Sequence, residues 1–319
     1  MKKTYDFLWG NPYFLLEILE KKYNQKLAPY NIKEMSYAPN EGIPELIELT
    51  KKIIQETMGV NYKYIIITNG ATQAINSILR FKISIGYTHV ITHKYGYPFY
   101  DDMIKRAGFV RIEDNSLKLP KNENAFRLID SPNNPLGIQT KIGSNNDIWD
   151  AVYHNRIYTD QISVMPNHKC MVGSYSKLLG VTGARVGFIA TNDENFYNNV
   201  RDWSLKDTAT PSKISQEMII DILNKINLEE FIILGKRSLD NNREEFQKIA
   251  YLFDNQPIQE TGMFWCVHAD KKALKILDEC NIKYLTLDGN YIRISLGQTN
   301  EITKEAVREI LKRDKILKK

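Results

Sequence analysis

Cysteine is scarce in this chain. Only Cys170, Cys266 and Cys280 occur among 319 residues, far apart and without a C-x-x-C pair. That argues against a disulfide scaffold or a thiolate zinc site and points to a reducing compartment. Histidine is sparse too, and His89 and His93 share the stretch "YTHVITHKYGYP". It reads as a strand and a turn, where a spacing of four does not converge on one ion, so no metal is expected. No apolar run reaches the length of a membrane span. The lysine-led N-terminus is interrupted by Gly10, Asn11 and Pro12 and then carries Glu17 and Glu20, so it lacks a signal core. A cytoplasmic protein without membrane association is expected. A long single-sign block is missing as well: the net charge of +5 is spread out, with a short basic tail from Lys312 to Lys319. The tail reads as the solvated end of a last helix, so no nucleic acid is expected as a partner. Neither G-x-G-x-x-G nor G-x-x-x-x-G-K-[ST] follows any strand, which argues against a nucleotide-binding protein.

What is present is an ordinary globular composition, 43% hydrophobic and 25% charged, enough for one large core and a second, smaller one. Strand and helix patterns alternate. "PELIELTKKIIQETMG" predicts a helix, "YIIIT" a strand, "ATQAINSILRF" a helix, "THVIT" a strand and "YPFYDDMIKRAG" a helix. "FVRIED", "AFRLIDSP", "NRIYTD" and "KCMVGSYS" follow, each strand-like. The last third has helices over Pro211–Asn224 and Leu228–Phe253, then "MFWCVHAD", "KALKILDECNI", "YIRISLG" and "TKEAVREILKR". The fold class is α/β: a three-layer α/β/α large domain with a mostly parallel sheet over 30–235, and a smaller α+β domain from 1–29 and 236–319.

In an open parallel sheet, ligands collect at the carboxyl ends of the strands. Four such ends carry polar groups. In "YIIITNGATQAI", Gly70, Ala71 and Thr72 open a helix whose free N–H groups and dipole suit an anion, although Asn69 or Thr72 could simply cap it. "LIDSPNNPLG" forces a turn with Asn133 and Asn134 at its tip. "RIYTDQIS" ends on Asp160, either a helix cap or a partner for a cation. "GSYSKLLGVTGARVGF" sets Lys177 among small hydroxyl residues, eight positions before Arg185. Desolvation beside a guanidinium would lower the lysine's pKa and make its amine a nucleophile.

The order of these features resembles the aspartate-aminotransferase superfamily of fold type I pyridoxal-phosphate enzymes, in the class I/II group, from about Tyr37 to Leu296. "SYSK" through "GARVG" is the most specific part. The resemblance implies pyridoxal 5'-phosphate as cofactor, held by Lys177 as a Schiff base. Lys177 would also move the proton between the substrate α-carbon and the cofactor. Asp160 would face the pyridine nitrogen, Asn134 the phenolic oxygen, and Tyr97, in "GYPFY", would stack on the ring. Gly70, Ala71, Thr72, Ser174, Ser176 and Arg185 would hold the phosphate. Tyr37 would reach the phosphate of a neighbouring subunit, making a homodimer with shared active sites. Arg293, in "YIRISLG", would clamp the substrate carboxylate, with Asn134 and Gly10 beside it. Many relatives have a tyrosine three residues after the aspartate. Here that position is Ser163, which leaves open whether Ser163 or Tyr158 takes its place. "QISVMPNHK" is short for a helical crossover, so a tight loop is expected there.

The resemblance implies an aminotransferase that moves the amino group of an amino acid to a 2-oxo acid. The alternatives are a carbon–sulfur lyase or decarboxylase, or a non-catalytic scaffold of the same fold. An arginine holding the carboxylate in the ring plane argues against decarboxylation. Trp9, Phe14, Phe264 and Trp265 are candidates for an apolar side-chain pocket, with core packing expected for at least two of them. No second arginine for an acidic side chain is identifiable, so a neutral or aromatic amino acid, or a histidinol-phosphate-like amine, is the expected donor.

Overall fold

The computed structural model describes residues 3–24, 36–119, 124–140, 147–160 and 170–317. In chain order the elements are β1 (Tyr5–Asp6), α1 (Tyr13–Lys21), α2 (Pro44–Met58), β2 (Tyr64–Thr68), α3 (Gly70–Ser84), β3 (His89–Thr92), α4 (Tyr100–Arg106), β4 (Val110–Glu113), β5 (Ala125–Asp130) and β6 (Ile148–Asp150). Then come β7 (Cys170–Ser174), α5 (Tyr175–Leu178), β8 (Gly187–Thr191), α6 (Glu194–Thr208), α7 (Lys213–Lys225) and α8 (Leu228–Gln247). The chain closes with β9 (Phe264–His268), α9 (Lys271–Glu279), β10 (Ile282–Lys283), β11 (Leu285–Thr286), β12 (Tyr291–Ser295) and α10 (Asn300–Leu317).

Seven strands form one sheet in the order β2-β8-β7-β6-β5-β3-β4. β8 runs antiparallel to both of its neighbours and every other pairing is parallel. The carboxyl ends of β2, β5, β6 and β7 therefore point the same way. Alternation along the strands divides the core in two. Ile65, Ile67, Ile91, Ile129, Met171 and Phe188 pack into one cluster, while Ile66, Val90, Leu128, Val172 and Ile189 pack into another with the apolar stripe of α3, Ala74, Ile75, Ile78 and Leu79. Strands buried on both faces read as unbroken apolar runs, which is why "YIIIT" is so legible. Each such side chain contributes roughly 1.5–3 kcal/mol of burial, and the two clusters make the sheet the middle of three layers. The fold class expected from the sequence, α/β with a mostly parallel sheet between helices, is the one observed. A second sheet, β11-β12-β9, is antiparallel, and β1 pairs in parallel with β10.

Two local expectations differ from the structure. "NRIYTD" is not a strand but a series of turns, because Asn155 coils it: its Oδ1 accepts from Ile157 N at 3.0 Å, and its carbonyl accepts from Tyr158 N at 3.0 Å and Thr159 N at 3.1 Å. The strand in this region is β6, "IWD", three residues long and buried throughout. The helix expected to reach Phe253 ends at Gln247, and a 3-10 turn spans Ala250–Phe253. The loop expected between Asp160 and Lys177, with Ser163 in it, lies outside the described residues.

Candidate active site

A cavity of about 600 Å³ opens at the carboxyl ends of the parallel strands. Leu8–Asn11, Ala71, Thr72, Tyr97, Asn134, Ser174, Ser176, Lys177, Arg185, Phe264 and Arg293 all line it. Residues far apart in sequence thus meet in one place, as strand-end chemistry predicts.

Lys177 sits on α5, a helical turn capped by Ser174, whose Oγ accepts from Ser176 N at 3.1 Å. Burial, then Arg185 and Arg293, push the lysine down to about 8. At that value an appreciable share of the amine is unprotonated near neutrality. Its Nζ donates to the carbonyl of Gly10.

One corner is fitted for a phosphate. Asn69 opens α3 without a side-chain cap, so the first N–H groups of the helix are left to another acceptor. Gly70 has φ +77°, and a Cβ there would lie 2.6 Å from Arg185 Nη2, so only glycine lets the guanidinium lie against the turn. Arg185 Nη1 donates to Thr182 O at 2.9 Å. Ser176 Oγ is buried with no hydrogen-bond partner among the described residues, an orphan that a phosphate oxygen would satisfy. Ser174 lines the same corner, but its hydroxyl donates to Val186 O at 3.2 Å.

Arg293 reaches in from β12. Its Nη1 donates to Asn134 Oδ1 at 2.9 Å, its Nη2 to Leu8 O at 2.9 Å, and its guanidinium lies 4.2 Å from the Phe264 ring centroid. Nε is buried without a partner. Burial lowers its pKa. Tyr97, hydrogen-bonded to Thr72 and raised chiefly by burial, packs edge-on to Phe99 and Tyr100.

The carboxylate assignment needs correction. Asp160 does not line the cavity: its side chain is 78% exposed and pairs with Lys236 Nζ at 3.3 Å. Tyr158 is buried elsewhere and donates to Lys177 O at 2.8 Å. Asp150, at the end of β6, is a buried carboxylate that does line the cavity, accepting from Tyr100 OH at 2.7 Å and Val152 N at 3.1 Å. Burial raises its pKa. Three residues on, Tyr153 also lines the cavity. The D-x-x-Y spacing sought at Asp160 therefore exists at Asp150, and searching for that spacing itself would have found it. Asp130, at the end of β5, is a second cavity carboxylate that the sequence reading passed over.

Tyr37 is 87% exposed and lies outside the cavity lining. Of the four proposed pocket aromatics, Trp9 and Phe264 line the cavity, whereas Phe14 and Trp265 are buried in the core. The charged side chains lining the cavity, among the described residues, are Asp130, Asp150, Lys177, Arg185 and Arg293.

Comparison with known proteins agrees with this geometry. The family model "Aminotransferase class I and II" matches residues 5–310. The chain is 26% identical over 198 residues to alliin lyase 2 of Allium sativum, a match covering 56% of this chain and 41% of that protein. It therefore spans about two fifths of the length of that relative. It is 23% identical over 261 residues to the aspartate/prephenate aminotransferase of Thermus thermophilus, covering 72% and 67% of the two chains. The fold superposes on a double mutant of Thermus thermophilus aspartate aminotransferase with a TM-score of 0.76, at 18% identity over 98% of this chain and 92% of the other. Family members use pyridoxal 5'-phosphate, and the phosphate corner, buried carboxylate and buried lysine fit that group. With the match running through nearly the whole chain, the protein belongs to the class I and II aminotransferase family.

Proposed function

We propose that the protein is a pyridoxal-phosphate-dependent aminotransferase that takes the amino group of a neutral or aromatic amino acid and passes it to a 2-oxo acid. The observation that carries this reading is the meeting of Lys177, Asp150 and Arg293 in one cavity. When bound, the cofactor supplies an aldehyde that takes up the amino group and a ring that accepts electrons from the α-carbon. Lys177 would be the amine that holds the cofactor's aldehyde and the base that takes the proton from the α-carbon, a role suited to a pKa of about 8. Asp150 would hold a proton on the ring nitrogen by its negative charge. Ser176, Arg185 and the N–H groups of Ala71 and Thr72 bind the phosphate. Asn134 and Tyr153 would donate to the phenolic oxygen, and Arg293 would bind the substrate carboxylate.

The donor class rests on the wall around Arg293. Leu8, Trp9, Phe264 and Leu285 line it, and the cavity's other cations, Lys177 and Arg185, already have roles. Among the described residues an acidic side chain would find no further cation there, whereas an apolar one gains burial. We further infer a cytoplasmic homodimer in which Tyr37, with its phenol in solvent, reaches the partner's phosphate corner. Sedimentation at twice the 37.0 kDa chain mass tests that arrangement. The match to alliin lyase favours a second reading, a carbon–sulfur lyase. Single-turnover assays of the loaded protein with a panel of amino acids separate the two. Formation of the matching 2-oxo acid, with the nitrogen retained on the cofactor, supports the transaminase, and release of pyruvate and ammonia from a cysteine derivative supports the lyase.

A further inference from the structure

Two carboxylates end neighbouring strands in the same register. Asp130 closes β5, Asp150 closes β6, and the two are Cα partners in the parallel ladder, about 4.8 Å apart in strand spacing. Both are buried and both line the cavity. Neutral donors occupy them: Asp130 Oδ1 accepts from Asn133 Nδ2 at 2.9 Å and Oδ2 from Asn134 N at 2.9 Å, while Asp150 takes Tyr100 OH and Val152 N. No cation pairs with either among the described residues. The reading above uses Asp150 and leaves Asp130 without a role.

Like charges this close in a buried site disfavour double ionisation. We propose that Asp130 and Asp150 act as one pair carrying a single negative charge, with the proton kept on Asp130, so that Asp150 alone presents the anion to the cavity. The asymmetry comes from Tyr100. Its O–H contact, at 2.7 Å, is the shortest on either group and favours charge on Asp150. Burial first, and Asp150 after it, push Asp130 up to about 7 against the opposing pull of the Asn134 and Asn133 donors. The other ionisable groups facing the pair are Tyr97 before α4, Tyr100 at its first position, Tyr153 after β6, and Lys177, Arg185 and Arg293 around the cavity. Asp130 is a positioning residue: it pins the turn whose Asn134 side chain meets Arg293, and its proton sets the charge beside Asp150.

The pair is tested in the apoprotein by carbon-13 NMR of aspartate carboxyl groups against pH. One resonance should titrate near 7, vanish in Asp130→Asn, and move down by about one pH unit or more in Asp150→Asn, where the like charge is gone. Wild-type protein with no aspartate titrating above about pH 6 overturns the pair, as does persistence of the resonance in Asp130→Asn. Should Asp130→Asn fail to fold, an unmoved midpoint in Asp150→Asn overturns it alone. The link to the cofactor rests on the proposed function and has its own arm. Loading pyridoxal phosphate should lower the wild-type midpoint, because a ring N–H neutralises Asp150. A midpoint at 7 in the apoprotein that does not respond to loading supports the pair and sinks the placement of the ring nitrogen at Asp150.

Discussion

Asn134 Oδ1 accepts a hydrogen bond from Arg293 Nη1 at 2.9 Å, tying the turn after β5 to a strand 159 residues further along the chain. The guanidinium is thereby aimed before any substrate arrives, so its ordering cost is already met in the fold. Arg293→Ala should lower kcat/KM for amino acids by about 100- to 1,000-fold, as expected for a lost charged fork. Most of the loss should fall on KM. Arg293→Lys should recover little of it, because an ammonium cannot make two parallel bonds. Steady-state kinetics on both variants reads this directly.

Asp150 and Asp160 make opposite predictions. Asp150→Asn should reduce kcat by at least about 100-fold, the scale for loss of a buried electrostatic partner, and weaken the response of the cofactor's visible spectrum to substrate. Asp160→Asn removes an exposed ion pair with Lys236 and should leave kcat within about twofold of wild type. Equal losses in the two variants would overturn the reassignment.

Lys177 makes folding stability depend on pH. Its folded value of about 8 lies below its ordinary 10.5, so between those values the unfolded chain binds more protons and stability rises with pH. The penalty is complete below the folded value and gone above the unfolded one. Apoprotein Lys177→Met should be more stable than wild type at neutral pH by at most about 3 kcal/mol, with the gap closing as pH approaches 10.5. Urea melts across that range check the trend. The same variant should form no borohydride-trapped pyridoxal phosphate adduct at position 177, read by peptide mass mapping against wild type.

Gly187, at the start of β8, has no room for a side chain. A Cβ there would lie 2.6 Å from Gly70 C and 2.8 Å from both Ala71 N and Gly173 O, all of them backbone atoms. Gly187→Ala should destabilise the fold by about 1–3 kcal/mol and weaken pyridoxal phosphate binding, because the displaced turn is the phosphate corner. Equilibrium dialysis of the folded variant separates the second effect from the first.

The sequence made some of this legible for physical reasons. β2 and β7 are buried on both faces, so they appear as apolar runs, and the residues at their ends, Gly70, Ala71, Thr72, Ser174, Ser176 and Lys177, could be picked out. Asp150 was hidden because β6 has only three residues and no alternation to read. Asp160 stands out in its place because Ile157 and Tyr158 have strand-forming side chains. There the local Asn155 turn overrides that preference, a side-chain-to-backbone hydrogen bond that strand propensity does not register. Asp130 was visible in "LIDSPNNPLG" but had no meaning until strand pairing brought it beside Asp150.

The two cations that would handle substrate both rest on one N-terminal segment, Lys177 on the carbonyl of Gly10 and Arg293 on that of Leu8. That has a consequence for synthesis on the ribosome. The cavity draws its walls from residue 8 to residue 293, so a nascent chain that has completed all seven strands of the main sheet still lacks a wall. The Leu8–Asn11 segment must wait, unpartnered at one end, until β12 emerges. The groups proposed for the cofactor, from Ala71 to Arg185, are thus made first and the substrate clamp last, so a chain stalled before Arg293 would hold Lys177 in a site with no place for a substrate carboxylate.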